Sequence, residues 1–213
     1  AGYDVVKLAK QYGTPLYLMD EERIRANCRM YIQAFHKHFG WNALPLYASK
    51  AASFRRIYQI MAEEGMGVDV VSSGELYTAL SAGFPAENIY FHGNCKTDAD
   101  LTLGVQRGIG CFIVDNREEL LSLDRIAGEA GVTQKIMLRV TPGIDPHTYE
   151  AVSTGKVDSK FGAAVETGQA MEQVKLALAQ PHLSLRGLHC HVGSQVFGED
   201  VYQRTLDIMV PFL

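Results

Sequence analysis

The sequence predicts an α/β protein built as a (β/α)8 barrel of the TIM type, and three observations predict it. Short β-rich runs alternate with longer helix-like stretches along the chain. Strands separated by helices in this order pair in parallel through right-handed crossovers, which puts the helices outside the sheet. Polar residues gather just past the strand runs: Ser49 and Lys50, Ser72 and Ser73, His92 and Asn94, Asp115 and Asn116, Arg139 and Thr141, His189 and His191. In a barrel those carboxyl ends meet at one face, where active sites are built. No GxGxxG follows the first strand run, which counts against a dinucleotide-binding open sheet. A complete six-stranded open sheet is the alternative architecture.

The elements follow in order. Residues 1–20 read as a lead-in whose apolar run, Pro15–Met19, is a strand lying outside the barrel, and residues 21–213 form the barrel portion. Glu21–Phe39 reads as a helix, and the apolar run Leu44–Ser49 as the first strand. Then come helix Ser53–Glu64, strand Val68–Ser72, helix Gly74–Ala82, strand Ile89–Gly93, helix Asp98–Arg107, strand Cys111–Asp115 and helix Arg117–Ala130. Strand Lys135–Val140, helix Val165–Leu178, strand Leu185–Val192 and a last helix, Glu199–Leu213, complete the series. Gly65, Gly83, Gly108 and Gly131 fall just past four of the helices, where a left-handed residue ends a helix. A closed barrel of this kind needs eight strands. About six β/α units are therefore expected here, with the remaining strands outside this sequence.

Composition narrows the function. The 213 residues are 47% apolar, enough to bury a sizeable core. Lys plus Arg number 20 against 24 Asp plus Glu, a net charge of −4, and no basic stripe follows a phosphate backbone, so nucleic acid is not an expected partner. Apolar runs such as Ile136–Val140 fall far short of the roughly 20 residues that span a bilayer, so no membrane association is expected. Cys28, Cys95, Cys111 and Cys190 show no CxxC spacing, and no charged-then-apolar leader is read. The expectation is a reduced, cytoplasmic protein.

Lys50 ends an apolar run, so a strand carries it to the active face, where a partly desolvated amine can attack an aldehyde. In Gly67-Val-Asp-Val-Val-Ser-Ser-Gly-Glu75, the pair Ser72 and Glu75 also reads as a capping box. That leaves Asp69 unexplained, because a carboxylate inside an apolar strand is costly unless paired. Arg139, inside the strand run Lys135–Val140, is its expected partner across the barrel. Gly187-Leu-His-Cys-His-Val-Gly-Ser-Gln195 places His189 and His191 on one strand face, with Ser194 able to donate to a phosphate. A zinc site there lacks a third ligand, since His92 and His147 sit in separate loops without an HExxH pattern, and no metal is expected. No GxSxG elbow supports a serine hydrolase. Asp69 and Asp115 could serve a glycosidase, yet that reading leaves Lys50, Arg139 and the His-Gly-Ser group unused.

Those groups, in this order, resemble the fold-type III pyridoxal-phosphate enzymes, in the branch that holds diaminopimelate, ornithine and arginine decarboxylases, over about Thr14–Gln195. Tyr47-Ala-Ser-Lys-Ala51 is similar to that branch's cofactor-lysine motif, whereas alanine racemases, which share the fold, carry a different sequence after the lysine. Val68–Glu75, His92-Gly-Asn-Cys-Lys96, Arg139-Val-Thr-Pro142 and His189–Gln195 also match. Thr154-Gly-Lys-Val-Asp-Ser-Lys-Phe-Gly162 resembles the diaminopimelate enzymes more than the ornithine ones. The resemblance implies an alanine-racemase-like barrel, pyridoxal 5'-phosphate as cofactor, and decarboxylation of the small amino acid meso-2,6-diaminopimelate to L-lysine, with a homodimer in the full-length form. It implies that Lys50 forms the Schiff base, that His191 stacks on the cofactor ring and that Ser194 bonds its phosphate. Asp69, Glu75 and Arg139 would form the polar shell, with His189 as support. It also places the glycine-rich phosphate loop, a Glu-Pro-Gly-Arg segment and a β-domain that reaches the partner subunit outside these residues, so this stretch alone is expected to be inactive. The other readings are an ornithine, arginine or carboxynorspermidine decarboxylase, and a catalytically silent barrel that binds a partner. Joint retention of Lys50, His191 and Ser194 argues against the last.

Overall fold

The computed structural model describes residues 2–144, 161–194, 196, 198 and 200–213. Its lead-in carries helix α1 (Val5–Tyr12), capped by Asp4, whose carboxylate accepts from the amides of Val6 and Lys7. Pro15–Met19, expected as a strand, joins no strand pair among the described residues. Tyr17 there is 94% exposed, and Leu18 and Met19 are exposed too. An extended segment becomes a strand only where a neighbour supplies the ladder.

From α2 (Glu21–Phe39) onward strand and helix alternate as expected. They are β1 (Leu46–Ala48), α3 (Arg55–Glu63), β2 (Gly67–Val70), α4 (Ser73–Ser81), β3 (Ile89–Phe91), α5 (Asp98–Gln106), β4 (Cys111–Val114) and α6 (Arg117–Glu129). Beyond them lie β5 (Gln134–Thr141), β6 (Ala163–Ala164), α7 (Gln169–Leu178), β7 (Leu183–His189) and α8 (Asp200–Phe212). β1 to β5 pair in chain order, each parallel to the next, and β7 pairs in parallel with β5. An order without reversal is that of a barrel wall, whereas a doubly wound sheet turns back at a switch point. The short strand β6, absent from the sequence reading, pairs with Val140 and Thr141 at the end of β5.

Two strands stop earlier than their apolar runs suggest, and both stops shape the site. β1 ends at Ala48, leaving Lys50 in a 3-10 turn, Ser49–Ala51. β7 ends at His189, so His191 and Ser194 lie in the loop beyond it and the two histidines do not share a strand face. Within β7 the register passes from Leu185 opposite Ile136 to Gly187 opposite Met137, and Arg186 is the extra residue of a bulge.

The core lies between the wall and its helices. Val68, Ile89, Phe91, Phe112, Ile136 and Leu138 are fully buried. Phe91 and Phe112 stack with centroids 5.6 Å apart, and burying side chains of this size contributes about 1.5–3 kcal/mol each. Helix α5 sits so close that a Cβ on Gly104 would meet Cζ of Phe112 at 2.4 Å. The glycines expected at helix ends, Gly65, Gly83, Gly108 and Gly131, all have positive φ. At the opposite ends, Ser72, Thr97 and Asn116 cap α4, α5 and α6 by accepting from the amides of Glu75, Asp100 and Glu119. Three positive helix termini therefore face the carboxyl ends of the strands.

Candidate active site

The turn that carries Lys50 is pinned at both sides. The amide of the fully buried Ser49 donates to Oδ1 of Asp69 at 3.1 Å, and the Tyr47 hydroxyl donates to the Ala52 carbonyl at 3.0 Å. Asp69 reaches the turn because its Cα pairs with that of Ala48 across β1 and β2. Lys50 itself is exposed to solvent, more open than the partial desolvation expected of it. Burial lifts the Asp69 carboxyl above its ordinary range, a shift opposed by the Ser49 amide and the Lys50 charge.

Arg139 is not the partner of Asp69. Its guanidinium on β5 lies 3.6 Å from Oδ1 of Asp115 and 4.3 Å from the centroid of the Phe161 ring. β2 and β5 are separated by β3 and β4, and the nearer acid at the end of β4 takes the arginine. Burial pulls the Arg139 pKa down while Asp115 opposes the shift. The position next to Asp69 is taken by His92, with Nε2 3.9 Å from Oδ2. The His92 ring meets His189 edge to face, centroids 4.6 Å apart. Burial, reinforced by the neighbouring rings and cations, lowers His92 to about 2 and His189 to about 3, so both rings are neutral near pH 7.

Glu75 serves its own turn, accepting from the Val71 amide at 2.6 Å, and acts on Asp69 only through space, raising its pKa. His191 is half-buried in the loop after β7, its pKa lowered by burial and by the charges of Lys50 and Arg139, and Ser194 is exposed. The structure thus groups Lys50 and Asp69 around the β1 turn and Arg139 with Asp115, and it holds Glu75 on the Val71 amide beside the Ser72 cap. Thr154–Lys160, His147 and Gln195 lie outside the described residues. Among the described residues no three His, Cys, Asp or Glu side chains assemble a metal site.

Glu119, central to this face, has no place in the sequence reading, and Lys96 enters it only as the last residue of the motif His92–Lys96, with no role assigned. Lys96 and Glu119 form an ion pair at 2.9 Å, their side chains 2% and 3% exposed. The local signal for Glu119 is Asn116 three residues before it, which reads as a cap and does not point to the lysine as its partner.

Residues 22–212 match the family described as "Pyridoxal-dependent decarboxylase, pyridoxal binding domain". The chain belongs to this family. Its cofactor is pyridoxal phosphate. Curated relatives carry the name diaminopimelate decarboxylase. That of Bacillus methanolicus is 47% identical over 196 residues, covering 92% of this chain and 45% of the relative. That of Staphylococcus aureus is 40% identical over 212 residues, covering 100% and 49%. Among solved structures, the diaminopimelate decarboxylase of M. jannaschii superposes with a TM-score of 0.90 at 38% identity, over 99% of this chain and 49% of that one. The Helicobacter pylori enzyme, crystallised with L-lysine, gives 0.82 at 28% identity, over 98% and 53%. These folds identify the parallel wall as part of the pyridoxal-phosphate barrel. The chain spans about half the length of the curated relatives it matches.

The donor set suits such a cofactor. Lys50 offers an accessible amine, His191 a flat imidazole and Ser194 an exposed hydroxyl, while the buried Nδ1 of His189 has no hydrogen-bond partner among the described residues. Positive helix termini gather at the same face.

Proposed function

We propose that the protein decarboxylates meso-2,6-diaminopimelate to L-lysine, with pyridoxal phosphate held on Lys50. The observation that carries this reading is the turn Ser49–Ala51, which presents Lys50 to solvent at the end of β1 while Asp69 anchors its backbone from below. The names of the relatives, and the L-lysine bound in the Helicobacter pylori structure, support the substrate and product.

When bound, the cofactor supplies the electron sink for the bond that breaks as carbon dioxide leaves. Lys50 offers the nucleophilic amine that holds it. Ser194 would donate to the phosphate, and His191, kept uncharged by burial and by the nearby cations, would lie flat against the ring without adding charge. Asp69 fixes the lysine turn through the Ser49 amide and offers the amine a negative neighbour. Arg139, clamped between Asp115 and Phe161, supplies a cation at the end of β5. A homodimer and a cytoplasmic setting belong to the same proposal, and the four free cysteines support the second.

Borohydride reduction of the full-length protein with pyridoxal phosphate tests the assignment. The expected result is label on the Lys50 peptide, and release of carbon dioxide and L-lysine from meso-diaminopimelate in preference to ornithine or arginine. Label on Lys96, or turnover of ornithine alone, would overturn it.

A further inference from the structure

The buried pair Lys96–Glu119 is used by neither the fold nor the proposed chemistry in any obvious way. Three acceptors surround the Lys96 ammonium: the Gly93 carbonyl at 2.5 Å, the Ile113 carbonyl at 3.0 Å and the Glu119 carboxylate at 2.9 Å. Those acceptors lie on three separate pieces, the loop after β3, the strand β4 and the helix α6. The ammonium donates to the two carbonyls and faces the carboxylate as an ion pair, buried among protein groups, which separates Lys96 from the open amine of Lys50.

Capping alone does not require the lysine. Glu75 and Glu119 occupy the same place in two successive devices: each sits three residues after a capping side chain and accepts from the amide just before the cap, Val71 at 2.6 Å and Asp115 at 3.2 Å. Glu75 does this half-exposed and with no ion pair among the described residues. Glu119 does it buried, with Lys96 upon it. Nor is stability a sufficient reason, because desolvating two charges offsets most of their attraction and apolar residues of similar volume serve a core as well.

What the pair does reach is the site. Gly93 follows His92, whose ring sits between Asp69 and His189. Glu119 holds the backbone of Asp115, and Asp115 faces Arg139 at 3.6 Å and accepts from the Gly162 amide at 3.3 Å. We propose that Lys96 and Glu119 are positioning residues: they buckle the loop after β3 onto β4 and α6, and so set His92 and the Asp115–Arg139 pair on the face where Lys50 emerges. The role rests on the reading of Lys50 as the cofactor lysine.

Full-length protein carrying both Lys96→Met and Glu119→Gln tests it, since the pair of changes leaves no buried charge unmatched and keeps an oxygen for the Asp115 amide. Borohydride should still label Lys50 in the variant, and the apoprotein should melt close to its parent. The visible circular dichroism of the bound cofactor, which reports how the ring is held, should lose most of its intensity, and turnover should fall by about 100-fold, as expected of a small misplacement. A dichroic band and turnover at parental levels would overturn the proposal. So would an apoprotein melt that collapses along with them, because the pair would then be a folding element. Absence of label on Lys50 in the parent overturns the cofactor reading together with this one, whereas label in both proteins with an unchanged band removes this inference alone.

Discussion

Asp69 is the residue whose replacement separates structure from chemistry most cleanly. In Asp69→Ala the amide of Ser49 loses its acceptor, and because Ser49 is fully buried no solvent can replace it. A buried amide left unpaired costs about 1–3 kcal/mol. Asp69→Asn keeps an oxygen at that place, and the exchange of a charged for a neutral acceptor costs about 1 kcal/mol. A second effect favours the asparagine. The fold raises the Asp69 pKa, chiefly by burial, so the native state holds its proton more tightly than the unfolded chain does. Stability from this group is therefore present at low pH and falls as pH rises through the raised value. Asparagine carries no charge to bury. Asp69→Asn should thus be near the parent in stability at neutral pH and Asp69→Ala lower by about 1–3 kcal/mol, while both lose the negative charge beside Lys50. Urea unfolding of the full-length apoprotein reads the first quantity, and absorbance titration with pyridoxal phosphate reads the second. Equal stability of the two variants would refute the role of Asp69 in holding the Ser49 amide. Parental cofactor affinity in Asp69→Asn would refute the role of its charge.

Three further outcomes are expected. Ser194→Ala should weaken cofactor binding by about 1–3 kcal/mol, the range for losing a bond to a charged group; His191→Ala should also weaken it without changing substrate preference, and unchanged affinity in both would move the phosphate site elsewhere. His92 and His189 have pKa values near 2 and 3 in the fold against an ordinary 6.5, so the unfolded chain binds the extra protons and stability is lost as pH falls below that ordinary value, by about 2 kcal/mol per ring near pH 5. Urea midpoints across that range measure the loss, and His189→Gln should remove its share. Gly162→Ala should destabilise by more than about 1–2 kcal/mol, the cost of a left-handed L residue, because φ is +68° and the new Cβ would lie 2.7 Å from the Arg139 carbonyl oxygen; an unchanged melt would show that the backbone relaxes there.

The alternation of strand and helix, the helix ends at Gly65, Gly83, Gly108 and Gly131, and the cap at Ser72 were legible because each depends on residues within one or two turns of chain. So was the oddity of Asp69, since a carboxylate among valines is visible in any register. Helix α1, capped by Asp4, stands within residues 1–20, where the sequence reading has a single apolar run, Pro15–Met19, and no helix.

Partners were another matter. Arg139 was matched to Asp69 by charge alone, and the structure gives it to Asp115, because neighbouring strands bring the ends of β4 and β5 together while β3 and β4 stand between β5 and β2. Lys96 and Glu119 lie 23 positions apart by their numbering, and only the stacking of α6 beside the loop after β3 makes them a pair. The early ends of β1 and β7, which put Lys50 on a turn and His191 in a loop, fall at Ala48 opposite Asp69 and at His189 opposite Arg139, places that the apolar runs themselves do not mark. Local pattern therefore determined which elements form and which residues bear chemistry. Register between distant strands, which no local pattern encodes, decided which of those residues meet.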